Sequence, residues 1–255
     1  MTSLFDLSGK SAIVTGSSRG IGKAIAHRLA EHGADVLVSS RSANDCAGAA
    51  EEINGLVGRK AAVPFAADLT DKAKLKAMVD HADKTFGKID ILVCNAAVNT
   101  HFGSMREVPD TAFAEILQTN VISNNWLVQW IAPQMMARRD GAIIITSSIG
   151  GYRGNPNTGP YSISKAGDMA MARALAHDLG PYNIRVNTIA PGLVDTEIAR
   201  DLLADPAFVE RYTKSSPLRR VGQPDDIAGM AVYLAAPASR WTTGQTFVVD
   251  GGALA

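Results

Sequence analysis

Seven short, β-rich apolar runs recur along this chain, and a longer segment of helical period separates each from the next. The runs are SAIVT (11–15), DVLVS (35–39), AAVPFAA (61–67), IDILVCN (89–95), AIIIT (142–146), IRVNTIA (184–190) and QTFVVD (245–250). The helical segments are 20–32, 44–57, 71–86, 111–137, 161–179 and 224–235. Several runs are apolar at consecutive positions, as strands must be when both faces of their sheet are covered. In the first helical segment Ile21, Ala24, Ile25, Ala26, Leu29 and Ala30 form an apolar stripe opposed by Lys23, Arg28 and Glu31. This alternation predicts an α/β fold: a doubly wound, Rossmann-type parallel sheet of seven strands with helices on both faces. No linker-like composition interrupts the chain, so residues 1–255 are expected to form a single domain. The least regular segment, 193–222, carries two short helical patches after the sixth strand and is expected to be a substrate-binding lid.

Charge narrows the partners. Lys plus Arg number 25 and Asp plus Glu number 25, so a formal net charge of zero supports neither nucleic acid nor an anionic membrane. Two widely spaced cysteines, Cys46 and Cys94, predict a reducing compartment rather than a disulfide framework. The histidines show no CxxC, HxxxH or HExxH partners, and no metal site is expected. The opening MTSLFDLSGKSAIVTG lacks the pattern of a signal peptide, and no run approaches the ~18 apolar residues of a membrane span. The expected location is the cytoplasm.

Directly after the first strand stands TGSSRGIG, residues 15–22. In such a turn Gly16 permits the reversal, Gly20 lets backbone approach a pyrophosphate, and Gly22 lets the helix sit close to the strand. The helix start then points unpaired N–H groups at phosphate. The second strand ends in Ser39, Ser40 and Arg41, where an acid would hold the ribose diol of NAD. A guanidinium and hydroxyls suit a 2′-phosphate instead, and Arg19 is near enough in sequence to reach it, so NADP(H) is expected and NAD(H) is the alternative. Arg41 as a solvated helix-approach residue is the competing reading. Asp68, at the end of the third strand, either accepts from the adenine amino group or caps the next helix. Asn95, Ala96 and Ala97 follow the fourth strand, where small residues would pass an adenine ribose without a clash.

The fifth strand ends in Ser147 and Ser148, at the carboxyl edge where doubly wound sheets bind ligands. Tyr161 lies thirteen residues beyond Ser148, and Lys165 is at i+4 from it, on the same helical face. A phenol with an ordinary pKa of ~10 is a poor base near neutrality. An adjacent ammonium favours phenolate and improves it. Ser148 would then donate to or orient a substrate oxygen, and Lys165 would also bind nicotinamide ribose hydroxyls.

With these residues the chain resembles the short-chain dehydrogenases/reductases over essentially its whole length. The matching motifs are TGxxxGxG at 15–22, Asn95-Ala96-Ala97, Asn120 in QTNVIS, Ser148, YxxxK at 161–165, Pro191-Gly192 and the late DGG at 250–252. The resemblance implies a tetrad of Asn120, Ser148, Tyr161 and Lys165. In it, Tyr161 is general acid/base, Ser148 positions the substrate oxygen, and Asn120 holds a water that links Lys165 to a proton relay. It implies cofactor contacts from Gly16, Ser18, Arg19, Gly20, Ile21, Gly22, Ser40, Arg41, Asp68, Leu69, Asn95, Ala96, Ala97, Tyr161, Lys165, Pro191, Gly192, Val194 and Thr196. Substrate is expected against Ser148, Tyr161, Val98, Gly150, Asn155 and Leu193. The family also implies a homotetramer, although the Trp126, Trp130, Met169 and Met171 positions read equally as core. Ala97 stands where the family usually has glycine. The x₃ spacing from Tyr161 to Lys165 differs from the longer spacing of the enoyl reductase branch, which points to carbonyl reduction or alcohol oxidation. At this length the chain is not expected to carry the extra C-terminal domain of the epimerase/dehydratase branch. The expected reaction moves hydride between NADP(H) and a ketone, aldehyde or secondary alcohol. An NAD(H)-dependent alcohol dehydrogenase working oxidatively, on a polyol, steroid or cyclic alcohol, is the rival enzyme. A dinucleotide-sensing protein without catalysis is the rival of another class.

Overall fold

Neighbouring residues on a strand face opposite sides of its sheet, and two separate cores follow from that rule. The computed structural model describes residues 3–255; Met1 and Thr2 of the N-terminal stretch read above lie outside the described residues. Strands β1 (Ser11–Thr15), β2 (Asp35–Ser40), β3 (Ala62–Ala66), β4 (Ile91–Cys94), β5 (Gly141–Thr146), β6 (Ile184–Pro191) and β7 (Thr246–Val249) form one sheet in the order β3-β2-β1-β4-β5-β6-β7. Every pairing is parallel. On β1, Ala12 and Val14 face one core with Val36, Val38, Ile91, Val93 and Ile189, while Ile13 faces the other with Leu37, Leu92, Ile143 and Val186. This is the doubly wound α/β sheet expected from the sequence.

The first core is covered by helices α1 (Gly20–Glu31), α2 (Ala43–Val57) and α9 (Pro224–Ala235). The second is covered by α3 (Lys72–Phe86), α5 (Ser123–Arg138) and α6 (Gly159–Leu179). Trp126, Trp130 and Met171 pack, partly buried, against the second core, and Met169 is buried. Pro64 sits on β3, an edge strand with only β2 as neighbour, where its missing N–H costs least.

One sequence expectation changes, and another gains detail. The helix expected over 111–137 is three pieces: α4 (Asp110–Leu117), a π-helical turn over Gln118–Ile122, and α5. The π turn carries Asn120, whose carboxamide is drawn to the backbone of Val98. Such bulges insert a residue without ending the helix, and periodicity alone does not reveal them. In the 193–222 segment the two helical patches are a single turn, α7 (Arg200–Leu203), and a longer helix, α8 (Pro206–Ser215).

The strand order reverses between β1 and β4, whose following helices α1 and α5 lie on opposite faces of the sheet, the arrangement that leaves a crevice at the carboxyl edge. The loops after β1, β4, β5 and β6 all gather at that edge.

Candidate active site

Thr15 ties the crevice together. Its hydroxyl accepts from the N–H groups of Asn95 (3.0 Å) and Ala96 (3.2 Å), so the β4 exit is fastened to the β1 exit. Asn95 Nδ2 in turn donates to the carbonyls of Thr15 (3.0 Å) and Gly16 (3.3 Å). Gly16 has φ +64°, and a Cβ there would stand 2.9 Å from the Cα of Ala96. Any side chain at this position is doubly excluded, by conformation and by contact. At Gly22 a Cβ would collide with the Gly16 carbonyl and Asn95 Nδ2, so the close approach that this glycine permits is to the turn itself. Ser17 fastens the turn from the other side: its N–H donates to Ser39 O, and its hydroxyl accepts from Ser39 N–H, both at 2.9 Å.

The start of α1 is open. Arg19, its N-cap, makes no side-chain cap bond, and no acid occupies the first turn. By contrast α2 and α3 are capped by Ser42 and Asp71, each accepting from the N–H three residues on. An uncapped helix start beside two small-residue loops fits the phosphates of a dinucleotide, whose negative charge the exposed N–H groups favour. A cavity of about 540 Å³ adjoins it, lined by Arg19 and by Asp195, Thr196, Glu197, Arg200, Leu203 and Ala204. Arg19 forms an ion pair with Glu197, and the Thr196 methyl lies 3.3 Å from where a Gly20 Cβ would be. The segment after β6 thus sits directly over the glycine turn.

At the adenosine end, Ser40 is half-buried, 3.2 Å from Cys46 Sγ, and Arg41 is exposed. Asp68 is not the cap of α3, because Asp71 takes that place. Its carboxylate instead accepts from the N–H and hydroxyl of Thr70, both at 2.8 Å. The Thr70 N–H, with Arg41 and Lys74 nearby, holds the Asp68 pKa below the ordinary aspartate value despite partial burial. Leu69 beside it is buried in the second core.

The reacting constellation forms where β5 meets α6. Ser148 and Gly150 are adjacent: Ser148 Oγ accepts from Gly150 N–H at 3.0 Å. Ser147 is buried and structural, donating to the Lys165 carbonyl at 2.7 Å. Lys165 itself is 2% exposed, and its ammonium donates to Thr146 O (2.7 Å) and to the Asp168 carboxylate (3.0 Å). The same ammonium stands 5.7 Å from the ring centroid of half-buried Tyr161. Burial works against the Lys165 charge, but Asp168 and Tyr161 outweigh it and lift its pKa above the ordinary lysine value.

Asn120 does two things at once. Its side-chain oxygen accepts from Val98 N–H (2.8 Å), and its Nδ2 donates to Val98 O (3.0 Å) and to Ser164 Oγ (3.0 Å). Ser164 Oγ passes a bond to the Tyr161 carbonyl at 2.7 Å. The β4 loop, the π turn and the first turn of α6 are therefore one hydrogen-bonded unit, and Val98 is held inside it.

Pro191, Gly192 and Leu193 leave β6 under tight restraint. Gly192 N–H donates to Val249 O, and Leu193 N–H donates to the hydroxyl of Tyr212 on α8. A Gly192 Cβ would stand 2.6 Å from that hydroxyl. Leu193 and buried Val194 line a second cavity, of about 160 Å³, with Leu218, Ile227 and Val249. The position expected to meet substrate at 155 is turned to its own loop. Asn155 is exposed, and its carboxamide oxygen is engaged by Asn157 N–H at 2.8 Å. Arg153, on the same loop, donates to the Ala253 carbonyl at 2.7 Å.

Sequence reasoning passed over Asp168, Asn124, Ser164 and Tyr212. Asp168 had a signal: an acid at i+3 from Lys165, on the otherwise apolar buried face of α6 that carries Met169, Ala172 and Ala176. Asn124 and Ser164 are ordinary polar residues in helices, and only the packing reveals them.

A family model described as enoyl-(acyl carrier protein) reductase matches residues 16–253. Dehydrogenase/reductase SDR family member 4 of Bos taurus is 39% identical over 249 residues, 97% of this chain and 88% of that protein. Among solved structures, a gluconate 5-dehydrogenase from Burkholderia cenocepacia, in complex with NADP and tartrate, aligns with a TM-score of 0.92 at 33% identity, over 98% of this chain and 97% of its own. A 7α-hydroxysteroid dehydrogenase complexed with NADH and 7-oxo glycochenodeoxycholic acid aligns with a TM-score of 0.93 at 37% identity, over 99% and 98%.

Proposed function

This chain belongs to the short-chain dehydrogenase/reductase family, and from that membership we propose that it transfers hydride between NADP(H) and a ketone, aldehyde or secondary alcohol. The carrying observation is the buried Lys165 ammonium facing Tyr161 at the carboxyl edge of β5. A nicotinamide dinucleotide, when bound, supplies or accepts the hydride. Tyr161 gives its phenolic proton to the carbonyl oxygen in reduction and takes it back in oxidation. Lys165 favours the phenolate by its charge. Ser148, whose hydroxyl proton is free while its oxygen accepts from Gly150, orients the substrate oxygen. Asn120 holds the Val98 backbone beside this group and so shapes the floor of the substrate site.

The residues fit the dinucleotide along its length. The glycine turn and the uncapped start of α1 take the phosphates, and Asn95, Ala96 and Ala97 run past the ribose. Pro191, Gly192, Val194 and Thr196 close over the nicotinamide end, with 193–222 acting as the lid. The absence of an acid at the end of β2, with Ser40 and exposed Arg41 there instead, supports NADP(H). The relatives' own ligands support either form, since one is held with NADP and another with NADH. The four-residue step from Tyr161 to Lys165 supports carbonyl and alcohol chemistry over reduction of a carbon–carbon double bond. Ala97, with its added methyl, is accommodated. A homotetramer is the proposed assembly, supported by Trp241 at 98% exposure and by the open edge of β7, where Val248 is exposed. No helix among the described residues is long and apolar enough to cross a membrane.

A panel of carbonyls and alcohols assayed with all four forms of NAD(P) tests the reading. Turnover with NADPH and NADP⁺, exceeding that with NADH and NAD⁺, is expected. Tight NADPH binding without turnover of any panel member would contradict the proposal and favour a sensing protein.

A further inference from the structure

The carboxylate of Asp168 is fully shielded from solvent and engaged on both oxygens. Oδ2 receives the Lys165 ammonium at 3.0 Å, and Oδ1 receives Asn124 Nδ2 at 3.3 Å. Asn124 Nδ2 also donates to the Asn120 carbonyl at 2.6 Å, inside the π turn. The carboxylate thus joins the buried lysine to the same turn that holds the Val98 loop.

A buried ion pair is a poor way to stabilise a helix face, because desolvating two charges offsets what their attraction returns. Beyond Asp168 the buried face of α6 is built of Met169, Ala172, Ala176 and Leu179, and a leucine at 168 would continue it. What a carboxylate adds here is charge, delivered to the lysine that faces Tyr161. We propose that Asp168 is a positioning residue for the reaction, keeping the Lys165 ammonium charged and fixed in front of the Tyr161 ring. The proposal rests on the reading of Tyr161 and Lys165 given above.

The groups facing the ammonium bear this out. From α6 come Asp168 and Tyr161, and from β4 comes Cys94, whose thiol is pushed far up by burial and by Asp168. From β5 comes the neutral Thr146 carbonyl, and from α5 the neutral Asn124. Asp168 is therefore the one permanent countercharge among the described residues around it at neutral pH. Burial raises the Asp168 pKa, with Lys165 and Asn124 pulling it back. Removing the carboxylate takes away the larger of the two opposing charges and leaves burial acting on the lysine against Tyr161 and the Thr146 carbonyl. The lysine pKa then falls, the ammonium is lost at lower pH, and the alkaline side of the activity profile contracts.

The test compares pH profiles of kcat and kcat/KM, in both reaction directions, for the wild type, Asp168→Asn and Asp168→Leu, with Tyr161→Phe alongside. The alkaline limb of kcat is expected to move down by about one pH unit or more in both Asp168 variants. The corresponding loss of kcat near pH 9 is about tenfold, with KM for cofactor and substrate changing far less and Asp168→Glu restoring part of the limb. Profiles that superimpose on the wild type, whatever the melting temperature, would overturn the proposal and leave Asp168 a packing residue. If turnover is lost in Tyr161→Phe while the Asp168 profiles stay unchanged, only this inference falls. If Tyr161→Phe turns over normally, the underlying reading falls. A measurement on the wild type alone closes the case of variants that do not fold. The ¹⁵N signal of Lys165 Nζ, identified by its loss in Lys165→Met, is expected to remain an ammonium beyond the ordinary lysine pKa of ~10.4. Deprotonation below that value overturns the proposal.

Discussion

Ser40 and Arg41 are the residues through which the molecule is proposed to choose between its two dinucleotides, and the argument is one of charge. A carboxylate at the end of β2 would repel a 2′-phosphate and hold a ribose diol; a hydroxyl beside a guanidinium does the opposite. Ser40→Asp is expected to lower the kcat/KM ratio of NADPH to NADH by about tenfold or more, since a hydrogen bond to an ionised group is roughly twice as strong as a neutral one and the new carboxylate also repels a 2′-phosphate. Steady-state kinetics with both cofactors checks this, and a wild type that already prefers NADH contradicts it. Single residues were readable where chemistry demanded an unusual type at a fixed spacing, as at Gly16, Tyr161 and Lys165. They were not readable where an ordinary polar residue acquires a role by packing. Asp68 looked equally suited to cap α3 or to bind adenine; the adjacent Asp71 takes the cap, which nothing in AADLTD ranks in advance. Asn120 matched a family motif, yet its double bond to Val98 depends on a π turn that has no sequence period of its own.

At the scale of elements, five of the six helical segments were placed within a few residues because their apolar stripes run unbroken from end to end. The exception, 111–137, shows that a hydrophobic stripe can run through a bulge without a break. Helix α9 illustrates how an element end is held. The Asp226 carboxylate accepts from Arg220 Nη1 (2.5 Å) and from Gln223 N–H (2.7 Å), and those bonds hold its pKa down to about 2. The folded value lies below the unfolded one of 3.8, so the stabilisation is fully present above that value and is lost as the pH falls through about 2. Asp226→Ala should cost about 1 kcal/mol at neutral pH, the usual worth of an N-terminal cap, because the pair itself is solvent-screened. Thermal unfolding at pH 7 and near pH 2 checks the sign: the difference between variant and wild type is expected to shrink in acid. The consequence extends to the active site, because Asp226 and Ile227 border the cavity that Leu193 and Val194 line.

For the molecule as a whole, the parallel order β3-β2-β1-β4-β5-β6-β7 is what brings the loops that follow β1 through β6 to one edge. Alternation of strand and helix made that architecture legible, and the position of the glycine turn after β1 located the crevice. The 193–222 segment could be recognised as irregular, but its docking could not. Its hold on the rest comes from Glu197 on Arg19, Thr196 against Gly20 and the Ser216 hydroxyl on the Gly251 carbonyl, contacts that link positions well apart in the chain. The central claim is that this assembly performs hydride chemistry at a carbon–oxygen centre with Tyr161 as its proton donor. The direct test is turnover of a carbonyl substrate by wild type and Tyr161→Phe at equal NADPH saturation, with cofactor binding followed by fluorescence. The account predicts unchanged NADPH binding and a fall in kcat of about a hundredfold or more, the contribution expected of a general acid. A Tyr161→Phe protein that reduces the same substrate at near wild-type rate would contradict it.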